Sequence, residues 1–167
     1  MPYDQLLKHR QSQTRATYHL CFCTRHRSRL LQNQNAARIL MSVIEEQASA
    51  GHCNNHAWVV MPDHVHWLLS ILEFRPLAQV VAGCKAISTR RFRTAGLITT
   101  SPWQSGYYEH RLRDDEDLLA QARYLIANPL RAKLVSSLAD YPWWFAQWAS
   151  SPHGPIEQTS TGENLLW

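Results

Sequence analysis

The sequence predicts an α+β fold, an antiparallel sheet with helices on one face, and three observations favour it. Strand-like and helix-like segments follow one another in the order β-α-β-β-α-β. A Pro62-Asp63 turn joins two apolar strand segments, which indicates a hairpin. One further helix follows the last strand. This order is ferredoxin-like, and it leaves the second sheet face either free or partly covered by the C-terminal helix.

Four strands are predicted, and the first has β-branched and aromatic residues in rough alternation. They cover residues 14–24, 56–61, 64–71 and 107–113. Asn54 and Asn55 separate the first helix from the second strand, and the Pro62-Asp63 turn separates the second strand from the third.

The predicted helices have apolar residues at helical spacing and recognisable ends. The first covers residues 35–48, with one apolar stripe formed by Ile39, Leu40, Val43 and Ile44. The second covers residues 76–94 and starts with a proline, which the first helical turn tolerates. The third begins at the acidic run 114–117, where the helix dipole favours negative charge, and ends before a proline, at about Ala127.

Length and composition indicate a single globular domain. The chain has 167 residues, 45% of them hydrophobic, which suits one domain at residues 14–150 with polar tails at 1–13 and 151–167. We expect no signal peptide and no membrane span, because the start is polar and no run of about 18 apolar residues occurs. Four cysteines without a C-x-x-C pair favour reduced thiols in a cytoplasm over a zinc ribbon or a secreted scaffold.

Basic residues are concentrated in one part of the chain. The formal net charge is +4, and residues 75–113 contain seven basic residues against one acidic residue, Glu109. Such a block suits a phosphate backbone, and a solvated helix face explains it equally well.

His64-Val65-His66 is the first candidate site. Alternate side chains of a strand share a face, so the two imidazoles lie on one face with Cα atoms ~6.8 Å apart. At that spacing both can reach one divalent cation. The alternative is two half-exposed histidines on an open sheet face. The other positions of this strand are predicted to face the core: Val65, Trp67, Leu69 and Ile71.

The third helix contains the second candidate, Tyr124. Its apolar stripe consists of Leu118, Leu119, Ala122, Leu125 and Ile126. Tyr124 lies nearly opposite that stripe, and Asn128, four residues on, shares its face. A tyrosine placed there is either a nucleophile beside a ligand or an ordinary surface residue. Tyr107 and Tyr108 are rival nucleophiles, of which only one can face the histidine pair.

Four motifs together resemble a known family. They are YHLCFCTRHRSRLL (18–31), HAWVVMPDHVHWLL (56–69), WQSGYYEHRLRDDEDL (103–118) and ARYLIANPLRAKLV (122–135). In this order they resemble the single-tyrosine HUH transposases, and most closely the REP-associated tyrosine transposases. The resemblance extends from about residue 14 to residue 148.

The resemblance implies a site and a reaction. His64 and His66 would bind a catalytic Mg²⁺ or Mn²⁺, with Asn128 as third ligand and Gln121 as its substitute. Tyr124, in a Y-x-x-x-N-P context, would be the nucleophile that forms a 5′-phosphotyrosine. The family acts on single-stranded DNA and recognises imperfect palindromic hairpins, which implies a cytoplasmic, nucleoid-associated protein, either monomer or homodimer.

Further residues are expected to bind the hairpin or fill the core. The proposed DNA contacts are Lys85, Arg90, Arg91, Arg93 and Arg111. His110 either positions phosphate with Arg111 or satisfies a carbonyl at a strand end. Three tryptophans near the C-terminus are favoured as core residues over base-stacking platforms: Trp143, Trp144 and Trp148.

Three other functions compete with this interpretation. The first is a domesticated, non-catalytic protein that only binds DNA hairpins. The second is a replication initiator or plasmid relaxase, which the absence of a helicase domain in 167 residues disfavours. The third is an RNA-binding ferredoxin-like module, which needs exposed aromatic residues where His64 and His66 lie.

Overall fold

The computed structural model describes residues 16–72, 75–113 and 116–150. These residues contain six strands and four α-helices. The strands are β1 (Thr17–Cys23), β2 (Cys53–Met61), β3 (His64–Ile71), β4 (Tyr108–Arg111), β5 (Trp144–Ala146) and β6 (Ala149–Ser150). The helices are α1 (Gln34–Ser49), α2 (Leu77–Thr94), α3 (Leu118–Ile126) and α4 (Asn128–Arg131). No helix among these residues is long and apolar enough to cross a bilayer.

One antiparallel sheet contains all six strands, in the order β4-β1-β3-β2-β5-β6. Its first four strands have the predicted ferredoxin-like order, with β1 and β3 at the centre. The register places Cys21 opposite His66 and Cys23 opposite His64. The predicted fold class is therefore confirmed, and β5 and β6 extend the sheet beyond β2.

Both faces of the sheet are packed, each against different helices. On one face α1 and α2 cover a core that includes Phe22, Trp58 and Trp67. The odd-numbered residues of β3 belong to this core, as their alternation predicts. On the other face α3 packs against Leu68 and Val59. The third helix therefore partly covers the second face, which decides between the two arrangements left open by the sequence.

The C-terminal tryptophans have different environments. Trp144 is buried in the second core, and Trp143 packs against both cores. Trp148, in contrast, is 41% exposed. The expectation of core residues thus holds for Trp143 and Trp144, and it is wrong for Trp148.

Several predicted boundaries shift for local reasons. Strand β2 begins at Cys53, because Asn54 and Asn55 pair with β3 despite a register shift after Asn55. The Asn55 side chain accepts a hydrogen bond from the Trp67 indole, which satisfies two polar groups beside the core. Strand β4 is shorter than predicted, and both predicted tails lie outside the described residues.

The third helix starts and stops within the predicted segment. Asp117 caps it by accepting hydrogen bonds from the backbone N–H groups of Leu119 and Ala120. It ends at Ile126, and Asn128 begins the separate short helix α4, with Pro129 in its first turn. Asn128 therefore follows the tyrosine helix and does not belong to it.

Candidate active site

The two histidines of β3 lie on the sheet face that α3 partly covers. His64 and His66 alternate with buried Val65 and Trp67, so their side chains share the face of Leu68. Their ring centroids are 4.9 Å apart and the rings are nearly perpendicular, at 84°. Both side chains are half-buried. The pair thus lies on the sheet face against which the tyrosine helix packs.

Each imidazole has its Nδ1 atom engaged by a neighbour. His64 Nδ1 lies 2.6 Å from Asp63 Oδ1. His66 Nδ1 lies 3.1 Å from Nε2 of His19, which is on the same face of β1. When Nδ1 carries the hydrogen and donates a hydrogen bond to such a partner, Nε2 keeps its lone pair for a metal ion. In that tautomer both Nε2 atoms can act as ligands, and imidazole nitrogen is a donor that divalent cations such as Mn²⁺ accept.

Burial keeps the inner histidine neutral. Desolvation, followed by the charges of His64, His19, Arg131 and Arg27, lowers the pKa of His66 to about 3. Burial and the charge of His110 lower the pKa of His19 as well. A neutral imidazole is the form that binds metal. Within the described residues, no group of three or more His, Cys, Asp or Glu side chains is placed to hold a metal ion.

Tyr124 projects from the solvent side of α3. The helix buries Ala122, Leu125 and Ile126 against the sheet, and Tyr124 is 59% exposed. The guanidinium carbon of Arg131 lies 3.8 Å from the centre of the Tyr124 ring. Tyr124 is therefore accessible to a ligand, and the Arg131 guanidinium contacts one face of its ring.

Asn128 is fixed by two hydrogen bonds. Its amide nitrogen donates to the Leu125 carbonyl oxygen at 2.7 Å. Its Oδ1 accepts from Nη2 of Arg131, also at 2.7 Å. The amide oxygen that would face a metal ion is therefore engaged by a cation. Gln121, the substitute ligand, lies on α3 three residues before Tyr124 and is partly buried.

The rival tyrosines lie on different sides of the sheet. Tyr108 is 62% exposed and pairs with Cys21, which pairs on its other side with His66. Tyr108 thus shares the histidine face, two strands away from His66. Tyr107 instead packs against the core under α1 and α2. Next along β4, His110 Nε2 lies 3.0 Å from Glu116 Oε1, while Arg111 is exposed.

The basic residues of α2 do not all face solvent. Lys85 donates to the carbonyl oxygens of Gln104 and Gly106, and burial lowers its pKa. Arg91 forms a two-pronged ion pair with Glu46, with N–O distances of 2.6 and 2.8 Å. These two side chains therefore connect α2 to neighbouring segments.

A basic groove lies between α2 and residues 101–106. Its volume is about 640 Å³. The exposed cations along it are Arg25, Arg90 and Arg93, and none of the described residues that line it is acidic. Arg25 directly follows Thr24, whose backbone N–H bonds to the carbonyl of Asp63. The groove thus approaches the end of the sheet at which His64 lies.

Sequence reasoning missed three residues of this site. His19 and Asp63 contact the histidine pair, and Arg131 contacts both Tyr124 and Asn128. Asp63 precedes the pair directly and Arg131 follows Asn128 by one helical turn, so both positions carried a local signal. The contact of His19 with His66 depends on the pairing of β1 with β3, for which no local pattern exists.

Comparison with known proteins identifies related sequences. The family model described as Transposase IS200 like matches residues 12–126. A provisionally named REP-associated tyrosine transposase of Haemophilus influenzae is 26% identical over 99 residues, 50% of this chain and 53% of that protein. The REP-associated tyrosine transposase of Escherichia coli is 26% identical over 122 residues, 66% of this chain and 69% of that protein. The chain thus spans about half the length of the first relative.

Solved structures show the same fold. A structure described as a REP-associated tyrosine transposase bound to a REP hairpin matches with a TM-score of 0.67 and 23% identity, over 81% of this chain and 79% of that chain. A provisionally named transposase from Deinococcus radiodurans matches with a TM-score of 0.50 and 26% identity, over 71% of this chain and 94% of that chain. Because the family model covers most of the sequence, including His64, His66 and Tyr124, the chain belongs to the IS200-like transposase family.

Proposed function

We propose that the protein is a transposase that cleaves and rejoins single-stranded DNA beside a hairpin, with Tyr124 as nucleophile and Mg²⁺ or Mn²⁺ as cofactor. One observation carries the proposal most directly. His64 and His66 share the face that the tyrosine helix partly covers, and their Nδ1 atoms contact Asp63 and His19, which favours the tautomer whose Nε2 can bind a cation. The names of the relatives, and the REP hairpin in one related structure, support hairpin DNA as the substrate.

The proposed reaction exchanges one phosphate ester for another. Tyr124 Oη attacks the phosphorus atom and forms the new O–P bond while the bond from phosphorus to the 3′ oxygen breaks. The phenol loses a proton and the departing oxygen gains one, so the products are a 5′-phosphotyrosine and a free 3′-OH. The exchange conserves the phosphodiester energy, and rejoining needs no ATP. A bound divalent cation would offset the charge that develops on the non-bridging oxygens.

Asn128 is the proposed third ligand of the cation. An amide oxygen is a donor that Mg²⁺ and Mn²⁺ accept, and the residue lies one turn beyond Tyr124. In the present arrangement its Oδ1 is bonded to Arg131, so metal binding there requires this bond to change. The match to the family model ends at residue 126, two residues before Asn128.

The hairpin stem is proposed to lie along the basic groove. Arg90, Arg93 and Arg25 are exposed there and free of ion pairs among the described contacts, so they are available to phosphates. Arg111 is exposed on β4, but it pairs with Tyr18 of the first core, so it lies on the sheet face opposite the histidine pair and the sequence-based prediction that it contacts DNA at this site has no support from its position. Lys85 and Arg91, predicted as DNA contacts from the sequence, are already engaged within the protein: Lys85 lines the groove and is proposed to shape it, whereas Arg91 lies outside the groove lining and pairs with Glu46. Association with the nucleoid follows from this proposed DNA partner.

The first prediction concerns the nucleophile. Tyr124→Phe is expected to abolish the covalent protein–DNA adduct with a Mn²⁺-supplemented hairpin oligonucleotide, measured as a shifted band on a denaturing gel. Hairpin affinity and melting temperature should stay nearly unchanged, because the hydroxyl belongs to an exposed side chain.

Tyr108→Phe is the matched control, because Tyr108 is equally exposed on the same sheet face. It should retain the adduct. An adduct in Tyr124→Phe that disappears in Tyr108→Phe would move the nucleophile to β4. Hairpin binding by the parent protein without any adduct would favour a non-catalytic hairpin-binding protein.

The second prediction concerns the metal ligands and their support. His64→Ala or His66→Ala should remove Mn²⁺ binding and cleavage together. His19→Phe should weaken Mn²⁺ binding by about 10- to 100-fold, because His66 Nδ1 loses its acceptor. His19→Gln restores an acceptor oxygen and should recover most of the affinity.

Titration calorimetry without DNA measures these affinities. Unchanged Mn²⁺ affinity in His66→Ala would show that the pair does not bind the ion. Equal affinities of His19→Phe and His19→Gln would show that the contact with His19 has no orienting effect.

The third prediction concerns the groove. Replacing Arg90 and Arg93 with Ala should weaken the binding of all hairpins by a similar factor, because phosphate contacts carry no sequence information. The slope of log affinity against log salt should flatten by about 0.7–0.9 per lost contact. Arg91→Ala is the comparison variant and should mainly lower stability, since Arg91 is paired with Glu46. An unchanged salt slope in the double variant would place the DNA elsewhere.

A further inference from the structure

One arginine connects the proposed nucleophile with the proposed third metal ligand. Nη1 of Arg131 donates to the Tyr124 carbonyl oxygen at 2.7 Å, and Nη2 donates to Asn128 Oδ1 at 2.7 Å. The same guanidinium lies 3.8 Å from the centre of the Tyr124 ring. No family property described above assigns a role to this side chain.

Arg131 is exposed, and each group that its guanidinium contacts is neutral: a carbonyl oxygen, an amide oxygen and an aromatic ring. Hydrogen bonds from a guanidinium to a phosphate are charge-assisted, two-pronged and stronger than bonds to neutral carbonyl oxygens. A DNA phosphate that approaches Tyr124 therefore offers Arg131 better acceptors than those it has. When DNA is present, it is therefore favourable for Arg131 to exchange its neutral acceptors for phosphate oxygens.

The present contacts also oppose a cation at Asn128. The amide oxygen is the atom that a metal ion would need, and a guanidinium held on it places positive charge beside the site. Metal ion and guanidinium are therefore competitors in the absence of DNA.

We propose that Arg131 is a catalytic residue that binds the scissile phosphate, and that it blocks Asn128 from the metal ion until DNA is bound. The inference rests on the proposed function and adds a residue and a control to it. Without DNA the guanidinium stays on Tyr124 and Asn128. With DNA it moves to the phosphate, and Asn128 Oδ1 becomes available to the cation.

A consequence is that DNA and metal binding promote each other. DNA removes the competing cation from Asn128, and a bound metal ion releases Arg131 for the phosphate. Such coupling is reciprocal, so the factor by which DNA strengthens Mn²⁺ binding equals the factor by which Mn²⁺ strengthens DNA binding. The protein would then assemble its complete metal site only on its substrate.

The test compares Arg131→Gln with the parent protein. Mn²⁺ affinity is measured by calorimetry with and without a hairpin oligonucleotide, in a Tyr124→Phe background that retains the aromatic ring and prevents cleavage. We expect Arg131→Gln to bind Mn²⁺ more tightly than the parent without DNA, and to lose most of the enhancement that DNA gives. With Tyr124 intact, it should form the adduct about 10²- to 10³-fold more slowly, as for loss of one transition-state donor.

In Arg131→Gln, a higher Mn²⁺ affinity together with a lower cleavage rate distinguishes the proposed role from a structural one. An arginine that only supports the end of α3 would leave Mn²⁺ affinity unchanged or lower when replaced. Lys133→Gln is the matched control, because it removes one exposed positive charge two residues away, and it should resemble the parent in both measurements. Arg131→Lys keeps the positive charge but lacks the planar guanidinium. It should still compete with the metal ion at Asn128, and it should form the adduct more slowly than the parent.

Each outcome has a definite meaning. If the parent forms an adduct and Arg131→Gln matches it in rate or binds Mn²⁺ no more tightly without DNA, the role of Arg131 is refuted and the proposed function stands. If Arg131→Gln is unfolded, the same comparison with Arg131→Lys decides, and a parent-like rate and coupling there refute the proposal. If the parent neither binds Mn²⁺ nor forms an adduct, the proposed function and the inference both fail.

Discussion

The antiparallel register between β1 and β3 determines which side chains can form the site. Leu20 and Phe22 of β1 and Trp67 of β3 are buried beneath α1 and α2. A slip of one residue in either strand would exchange these side chains with the polar ones of the other face. Burial of large apolar residues on one face therefore fixes the position of His64 and His66 on the other.

The same register supplies the groups that orient the histidines. Because Cys21 is opposite His66, His19 lies diagonally across from it and reaches its Nδ1 atom. Asp63 belongs to the tight turn between β2 and β3, where its carboxylate meets Nδ1 of the next residue. The strand pairing and the turn thus place a hydrogen-bonding partner at the Nδ1 atom of each histidine.

The tyrosine helix follows from packing on that second face. Its buried residues Ala122, Leu125 and Ile126 rest on the sheet beside Leu68, so Tyr124 must project outward. A break before Pro129 then ends the helix and allows Asn128 and Arg131 to turn back toward Tyr124. One sheet positions both the histidine pair and the tyrosine helix, because its two faces pack against different helices.

Local patterns predicted the parts of this arrangement that depend on local physics. The bounds and alternation of β3 followed from its apolar period, and the exposure of Tyr124 followed from the stripe on α3. The contact of His19 with His66, the ion pair of Arg91 with Glu46 and the sheet extension by β5 could not be predicted. Each depends on residues far apart in sequence, whose meeting is decided by strand register and helix packing.

Labelling each end of a hairpin oligonucleotide in turn tests the central claim most directly. The oligonucleotide has an unpaired flank and is incubated with the protein and Mn²⁺. If Tyr124 attacks a phosphate of that flank and displaces the 3′ oxygen, the 3′-labelled fragment stays with the protein and the 5′-labelled fragment is released. Retention of the 5′ label, or equal cutting of a blunt duplex, would contradict the account.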